Sequence, residues 1–165
     1  MDFRDIKEFI KDTFSYLIVI LIVILIVVYV VTLQQVVGSS MNPTYNESDI
    51  LVLSKIHYKL FEINRNDVVS LKYDNSKYLI KRVIGLPGEH VYFKDNILYI
   101  NNEPYENNFE TADFNLNELG YDVIPDNMYL VLGDNRYNSL DSREIGLISK
   151  EDIIGKVLFR IWPLG

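Results

Sequence analysis

The hydrophobic and polar positions divide the chain into one unbroken apolar run followed by a series of short alternating segments. Residues 16–33 carry no charge, and only Tyr16, Tyr29 and Thr32 interrupt their aliphatic character. As a helix at ~1.5 Å per residue this run is ~27 Å long, close to the ~30 Å hydrocarbon core of a bilayer. The pattern predicts a transmembrane anchor helix over 17–33, a short cytoplasmic segment over 1–16 and an extracytoplasmic domain over 34–165. A cleaved secretory signal is the alternative, but that class has a shorter apolar region of ~7–15 residues behind a positively charged start. Here the start is mixed, Arg4, Lys7 and Lys11 standing among Asp2, Asp5, Glu8 and Asp12. Lys and Arg beside a span set its direction, and none follows this one before Lys55. The expectation is a single-pass protein of the plasma membrane with its amino end cytoplasmic, so that the lipid bilayer is one of its partners.

Beyond the anchor the period shortens. Residues 50–53 form a compact apolar run, and 67–73 set Val68, Val69 and Leu71 among polar neighbours; both read as strands. Residues 77–85 gather Tyr78, Leu79, Ile80, Val83 and Ile84 ahead of a Gly85-Leu86-Pro87-Gly88 turn. The runs 91–93 and 97–100, joined by Lys94-Asp95-Asn96, predict a hairpin. Residues 101–127 lose the alternation and hold seven acidic residues without a Lys or Arg. They predict a long solvated excursion that lacks the spaced carboxylates of a calcium loop. Strand character returns at 128–132 and 156–162, with a polar loop over 133–143 and a short helical turn at 149–152 capped by Ser149 between them. The predicted fold class is mainly β: an antiparallel β domain behind one N-terminal transmembrane helix, with a variable insertion at about 91–127.

Composition narrows the chemistry. A chain of 165 residues accommodates one core and an anchor. Its 16 Lys and Arg against 23 Asp and Glu give a net charge of -7, which argues against nucleic acid as a partner. Cysteine is absent and the only histidines are His57 and His90, so thiolate nucleophiles, disulfides and His/Cys metal clusters are unavailable. No metal or other cofactor is expected, and a covalent nucleophile must be an oxygen or an amine.

Residues 36–44, Val-Val-Gly-Ser-Ser-Met-Asn-Pro-Thr, follow the apolar run directly. Such residues make a juxtamembrane linker or a sharp turn that presents a serine near a bilayer. A serine hydroxyl needs a base, and the candidates are His57, His90, Lys81 and the carboxylates. Lys81 lies within the apolar strand Tyr-Leu-Ile-Lys-Arg-Val-Ile, where burial disfavours the ammonium and leaves an amine able to accept a proton. A strand lysine with a packed stem and a solvated head is the plainer alternative. Arg82 follows it, but strand neighbours point to opposite faces and a guanidinium stays protonated. The loop 133–143 packs two Asp, two Arg, two Ser and two Asn into its length, a composition suited to ion pairs that hold a hydroxyl in a fixed place.

Three ordered motifs, Gly38-Ser39-Ser40-Met41-Asn42-Pro43-Thr44, Lys81-Arg82-Val83-Ile84-Gly85-Leu86-Pro87-Gly88-Glu89 and the Gly133 to Arg143 loop, resemble those of the bacterial type I signal peptidases, the leader peptidases with a serine/lysine dyad. The resemblance implies a membrane-anchored serine endopeptidase that removes signal peptides from exported precursor proteins through an acyl-enzyme, cutting after a small residue with another small residue two positions earlier. It implies Ser40 as nucleophile, rather than the adjacent Ser39, and Lys81 as general base. It implies Ser139 as the hydroxyl that orients the lysine, with Asp141 and Arg143, and Asp134 and Arg136, as supporting ion pairs. Gly38, Met41, Pro43, Gly85, Pro87 and Gly88 take the turn and positioning roles. The Ser40 backbone amide serves as one oxyanion donor. Some relatives carry a serine at the position of Gly38 as a second donor, and the loss of one such donor changes rate by ~100- to 1000-fold. From Leu33 to Ser40 the chain extends at most ~23 Å, which puts the scissile bond of a membrane-held precursor near the bilayer surface, where Phe159, Ile161, Trp162 and Leu164 are candidates for interfacial contact.

Two other readings compete. A serine/histidine pair would use His57 in place of Lys81, and a non-catalytic anchored β domain would bind partners through the acidic stretch 101–127.

Overall fold

The computed structural model describes residues 3–74 and 77–163. Met1, Asp2 and Leu164, to which the sequence reading assigns roles, lie outside them. One helix, α1 (Phe3–Tyr29), holds the whole amino-terminal region, and its segment Ile6–Tyr29 is long and apolar enough to cross a membrane. None of that apolar stretch is buried against the rest of the protein. The charged residues from Arg4 to Asp12, expected to form a separate prelude, therefore sit on the first turns of the same helix.

The helix also ends earlier than the apolar run does. Val31–Gln35, whose first three residues the sequence reading places at the end of the anchor, is strand β1, antiparallel to β2 (Ile50–Ser54) from Val31↔Ser54 to Gln35↔Ile50. The reason lies in both local and distant residues. Val30, Val31 and Thr32 are β-branched and fit a strand as well as a helix, and β2 supplies a complete ladder. The last helical carbonyls, which lack donors of their own, accept from the Lys55 backbone at Val30 (2.8 Å) and from Lys55 Nζ at Val28 (2.6 Å).

The remaining elements are α2 (His57–Leu60), β3 (Val68–Lys72), β4 (Tyr78–Gly85), β5 (Val91–Lys94), β6 (Ile97–Ile100), β7 (Glu103–Tyr105), β8 (Phe114–Asn115), β9 (Met128–Leu132), α3 (Ser142–Ile145), β10 (Ile148–Ser149) and β11 (Ile153–Trp162). They make two antiparallel sheets. The first has seven strands in the order β1-β2-β11-β3-β4-β9-β10, and the second has four in the order β7-β6-β5-β8. The expected strands at 50–53, 67–73, 77–85 and 128–132 are β2, β3, β4 and β9, and the closing strand begins three residues before the expected 156. The hairpin β5–β6 turns through Asp95 (φ 50°) and Asn96 (φ 65°), the left-handed pair that a two-residue turn matched to strand twist requires. Ser149 caps the 3₁₀ turn Lys150–Asp152 through the Glu151 amide, as expected.

The segment 101–127 departs from expectation. Its seven acidic side chains are exposed, but it also forms β7, β8 and a 3₁₀ turn (Leu116–Leu119) closed by a capping box between Asn115 and Glu118. Thr111, Phe114, Leu116 and Ile124 are buried. The last three fill the space between the sheets with Val91, Phe93, Leu98 and Ile100 against Ile84, Leu130 and Leu132. The short spacing of these apolar positions hides them in the sequence, because each strand here contributes two or three residues. A second cluster, including Val69, Leu71, Val83 and Val131, lies within the first sheet. A third, Val36, Met41, Leu51, Leu53, Val68, Ile80 and Val157, anchors the residues on either side of the Gly38–Ser40 turn.

Candidate active site

The turn 36–44 is held from below by Met41, which is 1% exposed, and locally by Asn42 N donating to Ser39 O and Tyr45 N to Met41 O. Gly38 adopts φ +78° with no atom near the place a Cβ would take. Its glycine therefore answers to backbone conformation and not to crowding. Pro43 follows a cis peptide within the same turn. The result is a serine, Ser40, whose side chain reaches β4.

Strand β4 brings the lysine. Its register, Val69↔Lys81 and Val68↔Arg82 on β3, sends Lys81 and Arg82 to opposite faces. Lys81 is 1% exposed, and its Nζ donates to Ser40 Oγ at 2.7 Å. Burial in apolar surroundings lowers its pKa to about 8, against the opposing pull of the Asp141 and Asp134 carboxylates. At pH 7 about one in ten of these amines is then uncharged, and at the same separation the serine hydroxyl can donate to the lysine nitrogen. His57 packs against the rings of Tyr58 and Phe61, and His90 Nδ1 meets the Asp122 backbone carbonyl. The side chain at hydrogen-bond distance from the Ser40 hydroxyl is Lys81, while both histidines are engaged elsewhere.

The loop 133–143 closes the site from the side. Asp141, fully buried, accepts from the Gly133 amide (3.0 Å) and from Arg143 Nε and Nη2 (both 2.9 Å) while capping α3. The expected Asp141–Arg143 pair is thus present. The expected Asp134–Arg136 pair is not. Asp134 is engaged by Arg82, Nε to Oδ1 at 2.8 Å and Nη2 to Oδ2 at 2.6 Å, and by the Thr44 hydroxyl. Arg136 instead donates to Gly133 O (3.0 Å) and to the Thr111 hydroxyl. Arg82 reaches Asp134 because β4 and β9 pair at Arg82↔Leu132, two residues before the aspartate.

Ser139 also differs from expectation. Its Oγ is buried without a hydrogen-bond partner among the described residues, so the expected bond to Lys81 is not formed. It lies against Gly133, where any Cβ would strike both Ser139 Oγ and the Ser40 carbonyl. Gly133 is therefore required by close approach.

The sequence reading missed two asparagines. Asn135 donates through its backbone amide to Ser40 O (3.0 Å) and through Nδ2 to Ser39 O (3.2 Å), and Asn138 Nδ2 donates to Ser39 Oγ (2.9 Å). Their amides were visible in the loop composition, but their target was not. Gly85, Pro87 and Gly88 lie behind the site, at the end of β4 and in the turn where Gly88 N donates to Ile124 O.

Beside Ser40 runs a groove of about 450 Å³ lined by residues 34–37 and 77–81 with Ser40 and Met41. Both of its walls are strand edges. β1 ends the first sheet, and β9 pairs with β4 only from Arg82 onward, which leaves the other side of Tyr78 to Lys81 unpaired. Among the described residues no group of three His, Cys, Asp or Glu side chains is placed to hold a metal ion.

The comparisons with known proteins agree with this geometry. The family described as signal peptidase, peptidase S26, matches residues 6–162. The chain is 38% identical over 141 residues to signal peptidase I of Bacillus caldolyticus, covering 78% of each chain. It is 35% identical over 174 residues to signal peptidase IB of Staphylococcus aureus, covering 95% of this chain and 91% of the relative. Among solved structures, a signal peptidase I from Enterococcus faecalis aligns with a TM-score of 0.55 and 34% identity, covering 60% of this chain and 98% of that one.

Proposed function

The chain belongs to the signal peptidase family of serine endopeptidases, and on that premise we propose that Ser40 and Lys81 are a catalytic dyad that removes signal peptides from exported precursors at the membrane surface. The observation that carries the reading is the buried Lys81 amine 2.7 Å from the Ser40 hydroxyl. In the first step the neutral amine takes the Ser40 proton while Oγ attacks the scissile carbonyl carbon. The ammonium then returns that proton to the leaving amine as the C–N bond breaks, and an ester on Ser40 remains. Water, deprotonated by the same lysine, hydrolyses the ester. The Ser40 amide is one donor to the developing oxyanion, and Gly38 offers no side chain for a second.

The groove supports the substrate reading. An extended peptide can add its backbone to the open edges of β1 and β4, with its scissile carbonyl over Ser40. Small side chains at the two alternate positions facing the wall suit the buried Ile80 and Val36 beneath it. The helix α1 supports membrane anchoring, and the Lys and Arg distribution supports an N-terminus on the cytoplasmic side with the β domain across the bilayer. Val37, Phe159 and Trp162 are exposed apolar side chains suited to the interfacial layer.

The test is to incubate the detergent-solubilised protein, Ser40→Ala and Lys81→Ala with a precursor carrying an Ala-x-Ala site. Both variants are expected to lose cleavage while keeping their fold by circular dichroism. Undiminished cleavage by either removes the dyad.

A further inference from the structure

The second sheet reaches the catalytic loop through one side chain. Arg136 is 3% exposed and has no carboxylate on its guanidinium. Its Cζ lies over the rings of Phe93 (5.4 Å) and Phe109 (5.3 Å), both from the segment 91–127. Its Nη1 donates to the hydroxyl of Thr111, which is itself 2% exposed. That hydroxyl donates onward to Phe109 O at 3.0 Å, and the Thr111 amide donates to Asn96 Oδ1 at 2.8 Å at the β5–β6 turn. The guanidinium is thus a buried cation, and two ring faces and one hydroxyl, from β5 and the β7–β8 connection, replace part of the water it has lost while its Nη2 has no hydrogen-bond partner among the described residues.

On its other side Arg136 belongs to a closed ring of bonds. Its Nε donates to Gly133 O, its carbonyl accepts from Arg143 Nη2, Arg143 holds Asp141, and Asp141 accepts from Gly133 N. Asn135, one residue away, holds the Ser40 carbonyl, and Gly133 lies against it. A shift of Arg136 would therefore move the groups that fix the serine and the carboxylate nearest in effect to the lysine.

We propose that Thr111 and Phe109 are positioning residues for the Ser40–Lys81 chemistry, acting through Arg136, so that the second sheet serves as a buttress for the catalytic loop. The proposal rests on the dyad reading. Arg136 Nη2 is already buried without a hydrogen-bond partner among the described residues, and removing the Thr111 hydroxyl adds Nη1 to it, a second unpaired buried donor whose cost a shift of the loop relieves. Misplacement of reacting groups by a fraction of an ångström to 1 Å is enough to cost on the order of tenfold to a hundredfold in rate.

The experiment uses the full chain in detergent and a fluorogenic Ala-x-Ala peptide, with Thr111→Val, Thr111→Ser, Phe109→Leu, Ser40→Ala and Lys81→Ala measured side by side. Thr111→Val is expected to lower kcat about tenfold or more with KM little changed. Because Asp141 then retreats from Lys81, the midpoint of the acidic limb of kcat/KM should move to lower pH. Thr111→Ser, which keeps the hydroxyl, should restore both, and Phe109→Leu should reproduce a smaller part of the loss. The buttress is overturned if Thr111→Val and Phe109→Leu keep the parental kcat. It is equally overturned if their loss matches the unfolded fraction, with an unmoved pH midpoint and no rescue by serine. Full activity of Ser40→Ala or Lys81→Ala would instead overturn the dyad itself, which separates the two failures.

Discussion

The interior around the seven-stranded sheet holds Asp49, Asp67, Lys81, Asp134, Arg136 and Asp141, all buried, whereas the four-stranded sheet and its loops bury apolar side chains and, among the described residues of 91–127, a single polar one, Thr111. A buried charge is tolerated only where partners reach it. Three of those partners come from far along the chain, Arg82 to Asp134, Arg160 to Asp49 and Lys156 to Asp67, while Asp141 takes Arg143 from two residues away. Among the described residues two buried cations lack a carboxylate partner: Arg136, which meets the Thr111 hydroxyl and two aromatic rings, and Lys81, where burial outweighs the pull of the neighbouring carboxylates and Nζ meets a neutral hydroxyl. Of these two the lysine has the lower pKa, about 8 against about 10, so the sheet that pairs its carboxylates also holds the amine that loses its proton more readily. The second sheet contributes packing, and its one buried polar side chain, Thr111, bonds the loop beside that amine.

The largest test of this contrast is Lys81→Met, an apolar side chain of similar length. Peptide cleavage should fall by about 1000-fold or more. Stability should behave in the opposite way. The native amine titrates near pH 8 and the unfolded one near 10.5, so below about pH 8 the native state bears the full cost of a buried ammonium. Parental stability should rise between about pH 8 and 10.5, where only the unfolded chain still holds the proton, and then level off. Lys81→Met should lack that rise in urea melts taken across this range, and a parallel rise in both proteins would contradict the assignment of the buried charge.

A pair of substitutions compares the sheets directly. Leu116→Ala, in the apolar layer, should cost about 3 kcal/mol of stability while leaving the pH midpoint of kcat/KM unchanged. Asp134→Asn should cost less, about 2 kcal/mol, because Arg82 retains some solvent. It should nevertheless shift that midpoint downward, since the Asp134 charge favours the ammonium form of Lys81. Denaturant midpoints and pH–rate profiles on the two variants decide the matter, and equal shifts in both profiles would erase the distinction between the sheets.

The smallest effect is in the parent protein alone. With Lys81 as the base, kcat/KM should climb about tenfold per pH unit below the midpoint and flatten above about pH 8. A profile that turns near the ordinary histidine value would point to another base.

How much of this was legible beforehand depends on the distance over which each feature is decided. The strands β2, β3, β4 and β9 and the β5–β6 hairpin follow from side chains that alternate along a few consecutive residues, and the Asp95-Asn96 turn carries its own backbone preference. The serine turn, the lysine strand and the Asp/Arg/Ser loop announce their chemistry by residue type, and their order in the chain announces the family. Tertiary structure alone decided the rest. Val31–Gln35 became a strand because β2 offered it a ladder and Lys55 closed the helix above it. Asp134 met Arg82 and not Arg136 because β4 and β9 run side by side. Asn135, Asn138 and Thr111 gained their roles only when remote segments were brought within hydrogen-bond reach. Local periodicity is a property of neighbours in sequence, whereas the partner of a buried charge is set by strand register between residues dozens of positions apart.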